Sequence, residues 1–134
     1  MHKSIQIITA AVLSLTVAIA VQAQQSQWVE ITKSENGDRV FFDLSSQVQL
    51  FDAGYKRNTF RTLVLAGSAT RRSFRQKYSA DCLKGTLALS EIDLVNRQGT
   101  FIQNVPLERA DKDPIVPAKD TIALDIWRYA CSRF

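Results

Sequence analysis

Apolar positions fall into three regimes along this chain. Ile5 to Ala20 is a nearly unbroken apolar run, interrupted by Gln6, Thr9, Ser14 and Thr16. From Trp28 to Val105, apolar and polar residues alternate in short stretches separated by turn residues. From Ile122 onward, apolar residues recur every three or four positions. The first regime predicts a leader, the second a sheet and the third a helix.

Within the second regime, Trp28-Val29-Glu30-Ile31-Thr32-Lys33 reads as a half-buried strand. Asn36-Gly37 is a hairpin turn signal, and Arg39 to Asp43 reads as the returning strand. Ser45-Ser46 predicts a turn or a short helical turn. Val48 to Phe51 is a brief apolar patch that ends at the turn residues Asp52-Ala53-Gly54. A third strand is expected over Arg57 to Leu65, broken by Gly67-Ser68. A fourth covers Ser73 to Cys82, with Phe74, Gln76, Tyr78, Ala80 and Cys82 on one face. Ser73, Arg75, Lys77, Ser79 and Asp81 then lie on the other. Thr86 to Asn96 is a fifth strand whose alternation slips phase near Ser90, as a β-bulge produces. Arg97-Gln98-Gly99 turns the chain into a sixth strand, Thr100 to Val105. Pro106 to Pro117 is a polar connection without periodicity. Asp120 or Thr121 caps a helix that runs to about Cys131. Ala123, Trp127, Ala130, Cys131 and Phe134 form its apolar stripe, widened by Ile122, Ile126 and Tyr129. The expected fold is α+β: a single antiparallel sheet of about six strands with a C-terminal helix packed on one face and tied to it by a disulfide.

The leader changes the chemistry available. His2 and Lys3 open it, Val21-Gln22-Ala23 is a small-residue cleavage site, and the polar Gln24-Gln25-Ser26-Gln27 follows. Residues 1–23 therefore read as a cleaved signal peptide and 24–134 as one domain. The chain's one histidine is His2, so the mature domain loses the commonest general base and metal ligand. Its two cysteines, Cys82 and Cys131, survive cleavage. In an exported domain they form one structural disulfide, stabilising by about 4 kcal/mol through its long closed loop. A zinc pair lacks histidine partners, and a redox couple lacks the Cys-x-x-Cys spacing. No cysteine stands immediately after the cleavage site to carry an N-terminal lipid, and no second apolar segment is long enough to span a bilayer. The expected address is the periplasm, the cell surface or the medium.

Charge is modest in sum and uneven in distribution. The chain carries 17 Lys and Arg against 13 Asp and Glu, a formal net of +4. Lys56, Arg57, Arg61, Arg71, Arg72, Arg75, Lys77 and Lys84 face one acid, Asp81, in the middle of the chain. From Glu91 to Asp125 acids outnumber bases. That pattern fits either a polar molecule or an internally complementary one. Arg75 and Lys77 share an outward face, Arg71 extends their parity, and Arg57 and Arg61 share parity on the preceding strand. These five are the candidate partner-binding residues, suited to an acidic protein segment, an anionic polysaccharide or lipid headgroups. The plainer reading is a solvated face that discourages edge pairing. The small net charge, the exported address and the lack of a recognition motif exclude nucleic acid.

Other chemistry is thinner. Tyr78, Trp127 and Tyr129 read as core, or as the lining of a pocket for a small apolar ligand between helix and sheet. Glu91 and Asp93 would share a face on a regular strand, and paired carboxylates can run glycoside hydrolysis, but the proposed bulge lies beside them and the plainer reading is a solvated face. The serines lack a histidine partner. Asp111-Lys112-Asp113 and Asp120 lack the calcium-loop spacing and its glycine. The expectation is a binding module without enzyme activity, metal or cofactor, with an edge strand available for dimerisation.

The order of parts resembles the surface-adhesin protein E family of exported bacterial proteins. Trp28-Val29 opens the first strand, and Gly37-Asp38-Arg39-Val40-Phe41-Phe42-Asp43 forms the second. Tyr78-Ser79-Ala80-Asp81-Cys82 ends a later strand, and Tyr129-Ala130-Cys131 ends the helix. The resemblance covers most of Trp28 to Cys131. It implies a six-stranded antiparallel sheet with a disulfide-tied C-terminal helix, and a role in binding proteins at the bacterial surface. The named adhesin is lipid-anchored, whereas this chain has no cysteine at its cleavage site.

Overall fold

A computed structural model describes residues 26–134. The predicted leader lies outside the described residues. Seven strands form one antiparallel sheet: β1 (Trp28–Lys33), β2 (Arg39–Asp43), β3 (Val48–Asp52), β4 (Tyr55–Leu65), β5 (Ser73–Asp81), β6 (Thr86–Val95) and β7 (Phe101–Asn104). Helix α1 (Ile122–Ser132) packs across one face. The brief apolar patch after Ser46 is the strand missing from the expected six.

The spatial order is β1-β2-β4-β5-β6-β7, with β3 also paired to β4. β4 is long enough to hold two short partners end to end. Its Thr62 to Leu65 half pairs with β2, and its Tyr55 to Thr59 half pairs with β3. A 3-10 turn, Leu44–Ser46, carries the chain from one partner strand to the next. The gap between the two ladders would leave the Arg61 N–H without a strand partner. The Ser46 hydroxyl accepts it at 2.8 Å, while donating to the Asp43 carbonyl at 2.8 Å. Asp43 caps the same turn by accepting from the Ser45 N–H and hydroxyl. The tandem Asp43, Ser45 and Ser46 therefore replaces ladder bonds with side-chain bonds.

The expected bulge lies where the phase slips. Lys77 pairs with Glu91 and Tyr78 with Leu89, so Ser90 has no partner in the ladder. Its hydroxyl donates to the Lys77 carbonyl at 3.2 Å.

The core sits between sheet and helix. Val40, Phe42, Phe60, Ala80, Leu87, Ile126 and Ala130 form it. The Phe42 ring stacks on Phe60 at 4.6 Å and meets Tyr129 at 4.8 Å. Thr121, one of the two expected caps, accepts from the Leu124 N–H at 3.2 Å. The buried Asn58 of β4 donates to the Ala130 carbonyl at 3.1 Å near the helix C-terminus. Trp127 donates its indole N–H to the Asp81 carbonyl at 3.2 Å. Cys82, just past β5, is bonded to Cys131 of α1. The Pro106–Pro117 connection returns along the edge of β6, where Leu87 and Ile115 form an antiparallel bridge. Among the described residues, no helix is long and apolar enough to cross a membrane.

Candidate functional site

The helix covers one face of the sheet; on the other, Leu63, Ser73 and Val95 are buried at one end, and the rest is open around Arg61 and Lys77. The pairing registers place Arg57 and Arg61 of β4, Arg75 and Lys77 of β5, and Glu91 and Asp93 of β6 on that open face. Four of the five candidate cations thus share a surface. Arg71 does not. It lies in the loop before β5, where its guanidinium pairs with Asp38 at 2.6 Å and donates to the Asn36 carbonyl at 3.0 Å. Parity along a strand does not extend through the turn that starts it, so Arg71 fastens two loops together.

The registers also decide which positive charges are neutralised. Arg75 faces Asp93 across the ladder and bonds it at 3.3 Å. Asp93 also accepts from the Asn104 amide at 2.9 Å. The Arg75 guanidinium lies 6.0 Å from the Phe101 ring. Arg57 faces Asp81, with nitrogen and oxygen 4.0 Å apart. Lys77 faces Glu91 on one side and Arg61 on the other. Arg61 makes no ion pair among the described residues. Among the described residues, the acids that pair with the basic middle are Asp38, Asp81 and Asp93, and only Asp93 comes from the acidic later half. Of the candidate hydrolytic pair, Asp93 is bonded to Arg75, and Glu91 stands across the ladder from Lys77 without an ion pair among the described residues.

Arg61 and Lys77 remain as directly opposed like charges. Beside them is a cleft of about 290 Å³ lined by Ser46, Val48, Thr59, Phe60, Arg61, Lys77 and Glu91. Its polar groups are two cations, two hydroxyls and one carboxylate. That arrangement admits an anionic group that approaches Arg61 from solvent.

Of the aromatic residues weighed as a pocket lining, Tyr78 and Trp127 fill the seam, while Tyr129 also lines a shallow, open cleft of about 330 Å³ between β1 and α1 with Ile31, Thr32, Asp125, Arg128 and Ser132. Tyr78 packs 6.1 Å from Phe60, and burial pushes its phenol up to about 12. Tyr129 meets Phe42, and Trp127 reaches Asp81. The cavity beside Tyr78, lined by Leu87, Leu89, Asp111, Asp113 and Ile115, holds about 160 Å³. Among the described residues, no group of three or more His, Cys, Asp or Glu side chains is placed to hold a metal ion.

What the sequence did not reveal is the pairing partner of each cation. The bulge at Ser90 sets it: a slip of one residue would place Ser90 and Ile92 where Glu91 and Asp93 stand. The phase slip is visible in the sequence, and it is the signal from which these pairings follow. The chain matches no family model, no curated protein and no solved structure.

Proposed function

We propose that this protein is an exported, non-enzymatic binding module of the bacterial cell envelope, related in role to surface adhesin E. It contacts an anionic partner, an acidic protein segment or a polysaccharide, through the open sheet face. Arg61 and Lys77 form the centre of the contact, with Arg57 and Arg75 beside them.

The opposed Arg61–Lys77 pair carries this reading. Like charges directly across a ladder destabilise a sheet. A face that neutralises its other cations while keeping this pair is suited to receiving negative charge from outside. The leader and the disulfide support export, because disulfides persist in oxidising compartments. The order of strands, cysteines and helix supports the adhesin relationship.

The test is binding of the purified mature protein to heparin and to poly-glutamate as model anionic partners. Binding should weaken with salt, since screening lengths fall to about 10 Å at 0.1 M. Arg61→Glu with Lys77→Glu should abolish it, and Arg71→Glu should leave it in place in the folded protein. Retention of binding by the Arg61–Lys77 reversal overturns the assignment.

A further inference from the structure

β3 presents an uncovered edge beside a second cationic surface. It pairs with β4 in an unbroken register from Val48↔Thr59 to Asp52↔Tyr55. The neighbouring ladder of β1 on β2 reaches Trp28↔Asp43, short of β3. The peptide groups of β3 can be assigned from β4. The Lys56 carbonyl accepts from the Cys82 N–H at 2.8 Å, on the β5 side. Backbone direction alternates along a strand, so Arg57 and Thr59 turn toward β3 and bond Leu50 and Val48. Gln49 and Phe51 then turn their own N–H and C=O groups to the open edge.

Edge strands are ordinarily protected by charge, proline, a bulge or a covering loop. Val48-Gln49-Leu50-Phe51 has no charge or proline, and its ladder has no bulge. All of β3 is exposed, with Phe51 at 76%. On the helix side, Gln49, Phe51, Lys56, Arg133 and Phe134 line a groove of about 540 Å³. The Phe51 and Phe134 rings lie 6.4 Å apart, and the Lys56 ammonium sits 5.0 Å from the Phe134 ring. The Gln49 amide donates to the Arg133 carbonyl at 3.2 Å and fixes the end of α1 against the strand. Neither Lys56 nor Arg133 forms an ion pair among the described residues.

A strand laid on this edge presents alternate side chains to two different surfaces. One set meets the cationic, aromatic groove. The other lies beside Val48 and Leu50 on the open face. We propose that β3 accepts an extended acidic segment of another protein as an added strand, with carboxylates over Lys56 and Arg133 and aliphatic side chains against Val48 and Leu50. The added chain gains affinity from main-chain hydrogen bonds and selectivity from the alternation of charge and aliphatic bulk. This surface is distinct from the Arg61–Lys77 pair and requires an extended backbone, which a purely electrostatic contact does not.

The probe is a fluorescein-labelled Glu-Val repeat peptide, titrated with the mature protein by fluorescence anisotropy. A second peptide carries the same side chains with alternate backbone nitrogens methylated. The expected result is binding of the first and at least about tenfold weaker binding of the second, one lost hydrogen-bond row being worth that much. Lys56→Glu with Arg133→Glu should also weaken binding about tenfold, the scale of two exposed charge contacts. Arg61→Glu with Lys77→Glu should weaken it less. Equal binding of the methylated peptide overturns strand addition. A concentration-dependent dimer that Leu50→Lys abolishes and that blocks the peptide overturns it too, in favour of a second copy of this chain on the edge.

Discussion

At the residue scale, Asp43 shows how a buried charge is retained at a strand end. It is fully buried, and burial alone would raise its pKa. The Ser45 hydroxyl at 2.7 Å, the Gln27 N–H at 2.8 Å and the Ser45 N–H at 3.1 Å outweigh that cost and hold the carboxyl below its usual value. A carboxyl with a lowered folded pKa contributes stability that is complete above its unfolded value of about 4 and disappears as pH falls through the folded value. Asp43→Asn should therefore cost about 1.5–3 kcal/mol at neutral pH, the worth of hydrogen bonds to a charged group. Urea unfolding at pH 7 and again below pH 4 checks this, and the gap between variant and parent should narrow in acid. An unchanged gap would assign the effect to packing instead of charge.

At the element scale, the turn of the β1–β2 hairpin is fixed from outside. Gly67 lies so close to it that an added Cβ would sit 2.6 Å from the Gly37 carbonyl carbon and 2.7 Å from the Asn36 oxygen. The Gly67 N–H donates to Asp38 at 2.9 Å, and Arg71 pairs with the same carboxylate. Gly67→Ala should push the two loops apart and cost about 1–3 kcal/mol. Arg71→Ala should cost about 1 kcal/mol. Arg61→Thr should behave oppositely, gaining a few tenths of a kcal/mol, because opposed like charges destabilise a ladder by about 0.2–1 kcal/mol. Thermal melts of the three variants give the signs, and a large loss in Arg61→Thr would mean that Arg61 stabilises the fold. Local elements were legible in the sequence for the reason these loops were not. Asn36-Gly37, the Thr121 cap and the slip at Ser90 act on neighbouring residues, so pattern alone locates them. The docking of Gly67 on Gly37 joins residues far apart in the chain, and no periodicity records it. β3 escaped notice as a strand because five exposed residues carry too little alternation, and its partner is the far half of β4.

At the scale of the whole molecule, sheet and helix are stabilised differently. Each ladder except those of β4 with β2 and β5 with β4 joins strands linked by a short turn, and all are independent of α1. The helix attaches through Ile126 and Ala130, through bonds from Asn58, Gln49 and Trp127, and through the disulfide. The bridge closes a separation of 49 residues, worth about 4 kcal/mol by restriction of the unfolded chain. Cys131→Ser should lower the melting temperature by about 15 °C or more while far-UV circular dichroism keeps its strand signature. The two proposed binding surfaces should then separate. Arg61 and Lys77 stand on β4 and β5 and need no helix, so heparin binding should survive in the folded variant below its transition. The groove depends on Arg133 and Phe134, two and three residues after Cys131, so affinity for the Glu-Val peptide should fall. Loss of both together would mean that the helix end supports the sheet face as well, and that the open face is not an independent surface.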